Sequence, residues 1–557
     1  MLDFDEWLTN YTWTGFILVL VAVGFYYKAS VPDRVTRLPS NVYWAGLLLG
    51  LLLLMRLPFI AYNRELDVDE GQMLAQAMSL KQLGGYWQFV DGLTQGPLTS
   101  YALIIPSWLG LPFDYTSGRL MGVLLLFLTL LAIFFTLRNL FRKTAALMVF
   151  TPVACFFLLS QGVFSTLYNE YLVMFLLALC FWQFSAVHRQ TQPRSYQLLL
   201  LGFLAGMVPF AKLQGVPTAL LIVIFTVILI VKRSQYKIRH LACLVGAGIL
   251  FPAIVLVQII RYDVLDYFWQ FYVLGNMEYS GGGSIWDKAL RYPGFLRQSG
   301  QFFYFFICNA LLIVGAAAKL IWPGGRHGVS RLIFWFGLLH VIIGFFVVIK
   351  PGYLFPHYQL FLIIPLTVLA GTMVERGAEP PSWSSLQKNA MVSAWLLTCF
   401  APHFVSKWAS TTSRSSGSVT RISRTDLGKP LVMSPVGNTI LRFSRPGELL
   451  TIWGWHPAYH LETRLSQATA DVIPFRVLTP GPRQQSHLQR YLRDLEKNMP
   501  VVFVDQITTA SFWFNDPAQF GHARIPGLSS FISKHYHQVA TIHGETIYVL
   551  KERLSAR

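Results

Sequence analysis

Asp67-Val68-Asp69-Glu70 puts three carboxylates into four positions just after a long apolar run. Before residue 405, only Asp3-Phe4-Asp5-Glu6 at the N-terminus is as dense. Carboxylates are costly beside lipid, so such a cluster marks either a functional site or a solvated interfacial loop. A carboxylate can take a proton from a hydroxyl, and clustered Lys, Arg and His can hold the negative charge of a departing phosphate. Candidates for the second role are Lys212, Arg119 and His357, with Gln95, Glu170, Lys350 and Tyr358 as further polar residues at similar places in the chain. Asp67 and Asp69 also form an Asp-x-Asp, whose oxygens suit a hard divalent cation such as Mg or Mn. No cofactor is expected to be required, and the cation is kept as an alternative.

The elements that must position these residues are membrane spans. Of the 557 residues 54% are hydrophobic and 13% charged, and the mean hydropathy is +0.47, which excludes an ordinary soluble protein. Runs long enough to span predict about twelve helices, near 13–27, 42–60, 117–137, 145–162, 168–187, 197–211, 216–231, 240–260, 300–320, 332–349, 358–374 and 389–404. The acidic N-terminus argues against a cleavable leader. The net charge of +18 is topological and does not signal nucleic acid, since the basic residues outside the tail sit in short loops between spans. Lys28, Arg34 and Arg37, then Arg138, Arg142 and Lys143, Arg189 and Arg194, Lys232 to Arg239, and Lys319, Arg326 and Arg331 are thereby read as cytoplasmic. All five cysteines lie in apolar runs and make no disulfide framework.

The segment 98–111 decides the topology. It is apolar but too short to cross, and counting it as a span would place Arg138, Arg142 and Lys143 outside, so it reads as a re-entrant or interfacial helix. Both termini are then outside. Asp67, Asp69, Glu70, Arg119, Asn169, Glu170, Lys212, Gln214, Lys350, His357 and Tyr358 collect at one outer surface. Each has a bland explanation, such as a snorkelling lysine or a packed histidine. Carboxylates and cations on one face suit a substrate whose tail lies in lipid and whose phosphate sits at the interface, and a polyprenyl-phosphate sugar has that shape.

Several motifs now line up: Asp69-Glu70 after a span, an amphipathic stretch at 71–83, Gly85-Tyr86-Trp87, Pro97-Leu98, and Arg119 opening the next span. Asn169-Glu170, Ala211-Lys212-Leu213-Gln214-Gly215 and 358–365 follow. In these the sequence, over roughly residues 42–375, resembles the GT-C glycosyltransferases of the dolichyl-phosphate-mannose protein mannosyltransferase and lipid A aminoarabinose transferase type. The resemblance implies a polytopic helical fold and inverting sugar transfer from a polyprenyl phosphate to a lipid, glycan or protein hydroxyl at the outer face of a bacterial plasma membrane. It also implies Asp69 as general base, Glu70 as its positioner, and Lys212, Arg119 and His357 at the donor phosphate. The family carries Lys or His before two prolines where this chain has Thr94-Gln95-Gly96-Pro97, so a cation expected near that phosphate is missing. Gln95 can only hydrogen-bond. Gly71-Gln72-Met73 replaces an aromatic the family often has after Asp-Glu.

The expected organisation is an extra N-terminal helix and loop (1–41), a catalytic membrane domain (42–405) whose first outer loop is 61–117, a linker (406–425) and an extracytoplasmic α/β domain (426–557). In that domain strands are expected at 449–453, 475–478, 501–504 and 546–550, and a helix at 484–497. His456 and His460, four apart, would share a helix face as a weak metal pair. The aromatic loop 261–298, with Gly281-Gly282-Gly283, reads as an interface belt or a mobile cover. Two alternatives remain open. One is a polymerase or ligase with a diphosphate-linked donor, leaning on Arg261, Arg291 and Arg297. The other is a transporter, against which stand the lack of an internal repeat and the position of the charges at one face.

Overall fold

In the computed structural model, which describes residues 4–30, 41–160, 162–279, 282–321, 331–377, 385–412 and 424–555, the apolar runs are helices. Among the described residues seven are long and apolar enough to cross a membrane: Val42–Ala61, Tyr115–Leu140, Glu170–Arg189, Leu213–Arg233, Lys237–Arg261, Arg331–Ile349 and Pro356–Glu375. Ile285–Gln298 and Gln301–Ala317, bent by 104°, add an eighth if counted together. Tyr11–Phe25, Lys143–Leu159, Ser195–Ala211 and Ala390–Val405 are apolar but shorter. Each of the twelve expected spans falls on one of these helices, yet four fall short by length, so a count of twelve crossings goes beyond what the helices show. Arg34, Arg37, Arg326 and Gly281 lie outside the described residues.

One packing contact bears directly on the site. Gly202 and Gly206 of the helix Ser195–Ala211 lie against the backbone of Lys237–Arg261, where an added Cβ would come within 2.1 Å of the Leu244 carbonyl and 2.4 Å of the Gly248 carbonyl. Small residues four apart permit this close approach. The helix so fixed ends at Ala211, and Lys212 follows in an extended conformation (φ −163°, ψ 126°) before the chain turns into Val216–Arg233. The segment 98–111 forms the helix Pro97–Trp108, which at 12 residues and 1.5 Å per residue is too short to span.

The C-terminal region carries a five-stranded sheet: β1 (Leu449–Trp453), β2 (Ser466–Gln467), β3 (Val502–Asp505), β4 (Tyr536–Ile542) and β5 (Glu545–Leu550), in the order β2-β1-β3-β5-β4. β1 runs parallel to β2 and β3, whereas β5 is antiparallel to β3 and β4. The helix expected at 484–497 is Gln484–Asn498. The strand expected at 475–478 is instead a helical turn, Phe475–Leu478, started by Pro474, whose ring fixes φ at a helix-compatible value. The expected linker is also corrected, because the helix Ser385–Thr412 continues through its first residues; 413–423 lie outside the described residues.

The sheet region shares a core with the membrane part. Leu74, Ala75 and Tyr115 pack in one buried cluster with Trp453, Leu461, Phe475 and Tyr491. Arg490 donates to Asp91 Oδ2 at 2.8 Å and to the Trp87 carbonyl at 2.6 Å, and lies against the rings of Tyr267 and Phe271. The aromatic loop is therefore held beneath the C-terminal region: Phe268 and Tyr272 of its π-helical turn Phe268–Leu274 pack on Trp87.

Candidate active site

Asp67 caps the helix Val68–Leu83, its side chain accepting from the Asp69 amide at 3.0 Å. Short acidic residues favour this position because a helix start leaves amide donors unpaired. The cap puts Asp69 and Glu70 in the first turn, where the amide ends favour negative charge, and directs them differently. Asp67 and Asp69 line a cavity; Glu70 turns away from it into Arg119.

The opposite wall comes from chain breaks. Lys212 Nζ donates to Asn169 Oδ1 at 2.7 Å, pairs with Glu170 Oε1 and sits 4.9 Å from the Tyr358 ring centre. The ring of His357 stacks on Tyr168 at 4.5 Å and on Phe355 at 5.4 Å, with Nε2 4.0 Å from Glu170 Oε1. Tyr168 closes the ring of contacts by donating its hydroxyl to Asp67 Oδ2 at 2.9 Å.

Among the described residues nothing donates a hydrogen bond to the Asp69 carboxylate. Burial raises its pKa well above the ordinary aspartate range; the charges of Asp67, Glu170 and Glu70 add to this and Lys212 opposes it. Asp67 is raised too, chiefly by burial, although its bonds from Asp69 and Tyr168 pull the other way. Two such carboxylates resist being ionised together. The group most available to accept a proton from something in the cavity is Asp69.

The other expected site residues are distributed unevenly. Arg119 and Glu70, 3% and 1% exposed, lie behind the cavity wall. Arg119 donates from Nε to Glu70 Oε1 at 2.9 Å and elsewhere to the Phe59, Tyr62 and Arg64 carbonyls, while Glu70 also accepts from the Leu167 amide at 2.8 Å. Every Arg119 nitrogen is engaged, and the residue does not line the cavity. Gln95 is buried behind the wall as well, bonded to Gln76. Lys350 lines an adjoining cavity that shares Thr94, Lys212, Tyr279 and Tyr358 with the first, and donates to the Asn276 and Met277 carbonyls at 3.1 and 2.8 Å. Arg261, Arg291 and Arg297 line neither.

Metal ligation finds little support in the donor set. Among the described residues no group of three or more His, Cys, Asp or Glu is arranged to hold an ion, and both Asp67 oxygens already accept protein hydrogen bonds. The His456–His460 pair is corrected: the helix begins at Ala458, after Pro457, so the two do not share its face, and His460 Nδ1 is bonded to the Leu465 carbonyl at 2.9 Å. Glu65, absent from the sequence reading, accepts from the Tyr115 hydroxyl at 3.2 Å, and burial pushes it up to about 7.

Sequence reasoning also missed the roof. Trp455, Phe475, Arg476 and Phe512, all from the C-terminal region, line the cavity beside Tyr279 and Phe355.

The family model described as dolichyl-phosphate-mannose-protein mannosyltransferase matches residues 95–258, a stretch holding Arg119, Glu170 and Lys212 and starting after Asp69. The chain superposes on the crystal structure of ArnT from Cupriavidus metallidurans bound to undecaprenyl phosphate, with a TM-score of 0.57 at 12% identity over 91% of this chain and 98% of that one. The chain has the GT-C fold. The apo form of the same Cupriavidus metallidurans protein gives a TM-score of 0.54 at 14% identity over 92% and 98%. No curated protein matches in sequence. The GT-C resemblance read from the sequence is thus borne out as fold, and the chain is a multi-pass helical membrane protein.

Proposed function

We propose that the chain is a glycosyltransferase that moves a sugar from a polyprenyl-phosphate donor to an acceptor hydroxyl, inverting the anomeric carbon. The observation that carries this reading is Asp69, a carboxylate without a hydrogen-bond donor among the described residues, in a cavity also lined by Lys212. Asp69 removes the acceptor proton as the acceptor oxygen bonds to the anomeric carbon, and the donor's phosphate leaves with the bonding electrons. Lys212 offsets the charge of that phosphate, held in place by Asn169 and Glu170, with His357 beside it. Glu70 and Arg119 serve as the rigid support of the helix that carries Asp69, and Gln95 supports the loop opposite. Lys350 stands at the adjoining cavity, where the lipid end of the donor would enter. Undecaprenyl phosphate bound to a protein of the same fold supports this donor class.

In the same reading the protein sits in a bacterial inner membrane with the cavity and the C-terminal region outside and about twelve crossings. The acceptor is a lipid, glycan or protein hydroxyl. The test is transfer of a radiolabelled sugar from an undecaprenyl-phosphate donor by the full-length protein in nanodiscs. Asp69→Asn should abolish transfer and keep binding of undecaprenyl phosphate. Turnover near that of the unmodified protein would refute the assignment of the base.

A further inference from the structure

Of the cations lining the cavity, Lys212 is paired with Glu170, but Arg476 makes no ion pair with a described carboxylate. Asp91, Asp471 and Glu278 act on it from further off; Asp91 is paired with Arg490 at 2.8 Å, and Asp471 lies 3.7 Å from His487. Its guanidinium is held by neutral groups: Nη1 donates to the Phe271 carbonyl at 2.7 Å and Nη2 to the Leu93 carbonyl at 2.8 Å. Two of five N–H groups are so used, which orients the fork and leaves donors for a ligand. The space it fills exists because residue 275 is glycine, where an added Cβ would lie 1.9 Å from Nη1. Arg476 is only 9% exposed and still reaches the cavity. A buried, oriented guanidinium that faces a cavity and has no carboxylate within ion-pair distance among the described residues is built to receive an anion.

We infer that Arg476 is an anion-binding residue which the C-terminal region contributes to the active site, taking a phosphate or similar oxyanion of the substrate and supplying the cation that the Gln95 position lacks. The inference rests on the function proposed above. Gln95 is bonded to Gln76 behind the wall, while Arg476 donates to the Leu93 carbonyl two residues earlier in the same loop, so a cation from the C-terminal region stands beside the loop that carries Gln95. The oxyanion is either the donor's lipid phosphate or a charged group on the acceptor.

Two binding measurements on the full-length protein in nanodiscs separate these sources: undecaprenyl phosphate, with undecaprenol as uncharged control, and inorganic phosphate added to protein already loaded with undecaprenyl phosphate. Loss of a charged hydrogen-bonding partner should weaken the affected ligand by roughly 10- to 100-fold in Arg476→Gln, with partial recovery in Arg476→Lys. Weakened undecaprenyl phosphate with unchanged undecaprenol supports the donor. Unchanged undecaprenyl phosphate with loss of inorganic phosphate binding supports the acceptor. Gly275→Ala, which displaces the guanidinium and keeps its charge, should reproduce the Arg476→Gln defect in a protein whose melting shows it is folded. If folded Arg476→Gln and Gly275→Ala bind both ligands as the unmodified protein does, the inference is overturned. Failure of the unmodified protein to bind undecaprenyl phosphate would count against the proposed donor, and inorganic phosphate binding to the unloaded protein would still test Arg476.

Discussion

Two buried ion pairs of the same chemical kind flank the helix start at Asp67, and they do different work. Glu70–Arg119 is sealed: besides each other, its atoms bond to the Phe59, Tyr62 and Arg64 carbonyls and the Leu167 amide. Glu170–Lys212 is equally hidden by exposure, at 1% and 2%, but Lys212 faces the cavity and Glu170 has an oxygen without a hydrogen-bond partner among the described residues. Burial fractions alone would rank the pairs alike. What separates them is the number of bonds left unmade, which measures how much of a charged group is still free to meet a substrate.

The largest effect that bears on this contrast is at the carboxylate between the pairs. Asp69→Asn should lower turnover by at least ~10²-fold while the melting temperature stays near that of the unmodified protein. The pairs themselves should then respond in opposite ways. Glu70→Gln strands Arg119 in a sealed pocket and should cost about 3–5 kcal/mol of stability, read as a fall in melting temperature. Lys212→Ala should leave most of the fold intact and instead raise the KM for the donor and lower kcat. Equal melting losses for the two variants would remove the distinction drawn here.

A subtler effect tests the electrostatics. The charges facing Asp69 are Asp67 and Glu70 on its own helix, Glu170 on the fifth predicted span and Lys212 at the helix break. Neutralising Asp67 as Asn removes a like charge, which lowers the pKa of Asp69, so the base is ionised at lower pH and the acid limb of kcat should move to lower pH. Glu65, pushed up to about 7 by burial, is a second raised carboxylate nearby, so Glu65→Gln is the control and should leave that limb in place. The smallest effect is expected at Gln95→Ala, which takes the donor from Gln76 Oε1 while Gln76 keeps its bond to the Asp91 carbonyl, and should cost about 1–3 kcal/mol with transfer per folded molecule nearly unchanged.

How much of this was legible in the sequence follows from the range of each signal. Asp67, Asp69, Glu170, Lys212, His357 and Tyr358 come from four separate stretches, and the sequence grouped them through span length and loop charge, local properties that add along the chain. Sidedness has no depth, and so it could not tell Arg119, locked behind the wall, from Lys212 in front of it. It also could not foresee Arg476. That residue lies in a short helical turn whose four apolar and basic residues look like a strand, and its role depends on Gly275, two hundred residues earlier, which offers no periodic signal at all.

The loop from Asp91 to Gly96 is stitched at both ends. The Asp91 amide bonds to the Ala470 carbonyl at 2.8 Å, and the Gly96 amide bonds to the Ala211 carbonyl at 2.9 Å, with Gln95 bridged to Lys212. Six residues therefore couple the rim of the sheet to the lysine by backbone alone, as a splint does. A clipped or swapped C-terminal region would not leave an idle but intact membrane half behind. It would let the cation drift, so hybrids that join this membrane half to another protein's cap should lose function at the seam unless residue 470's carbonyl is kept where this loop can grip it.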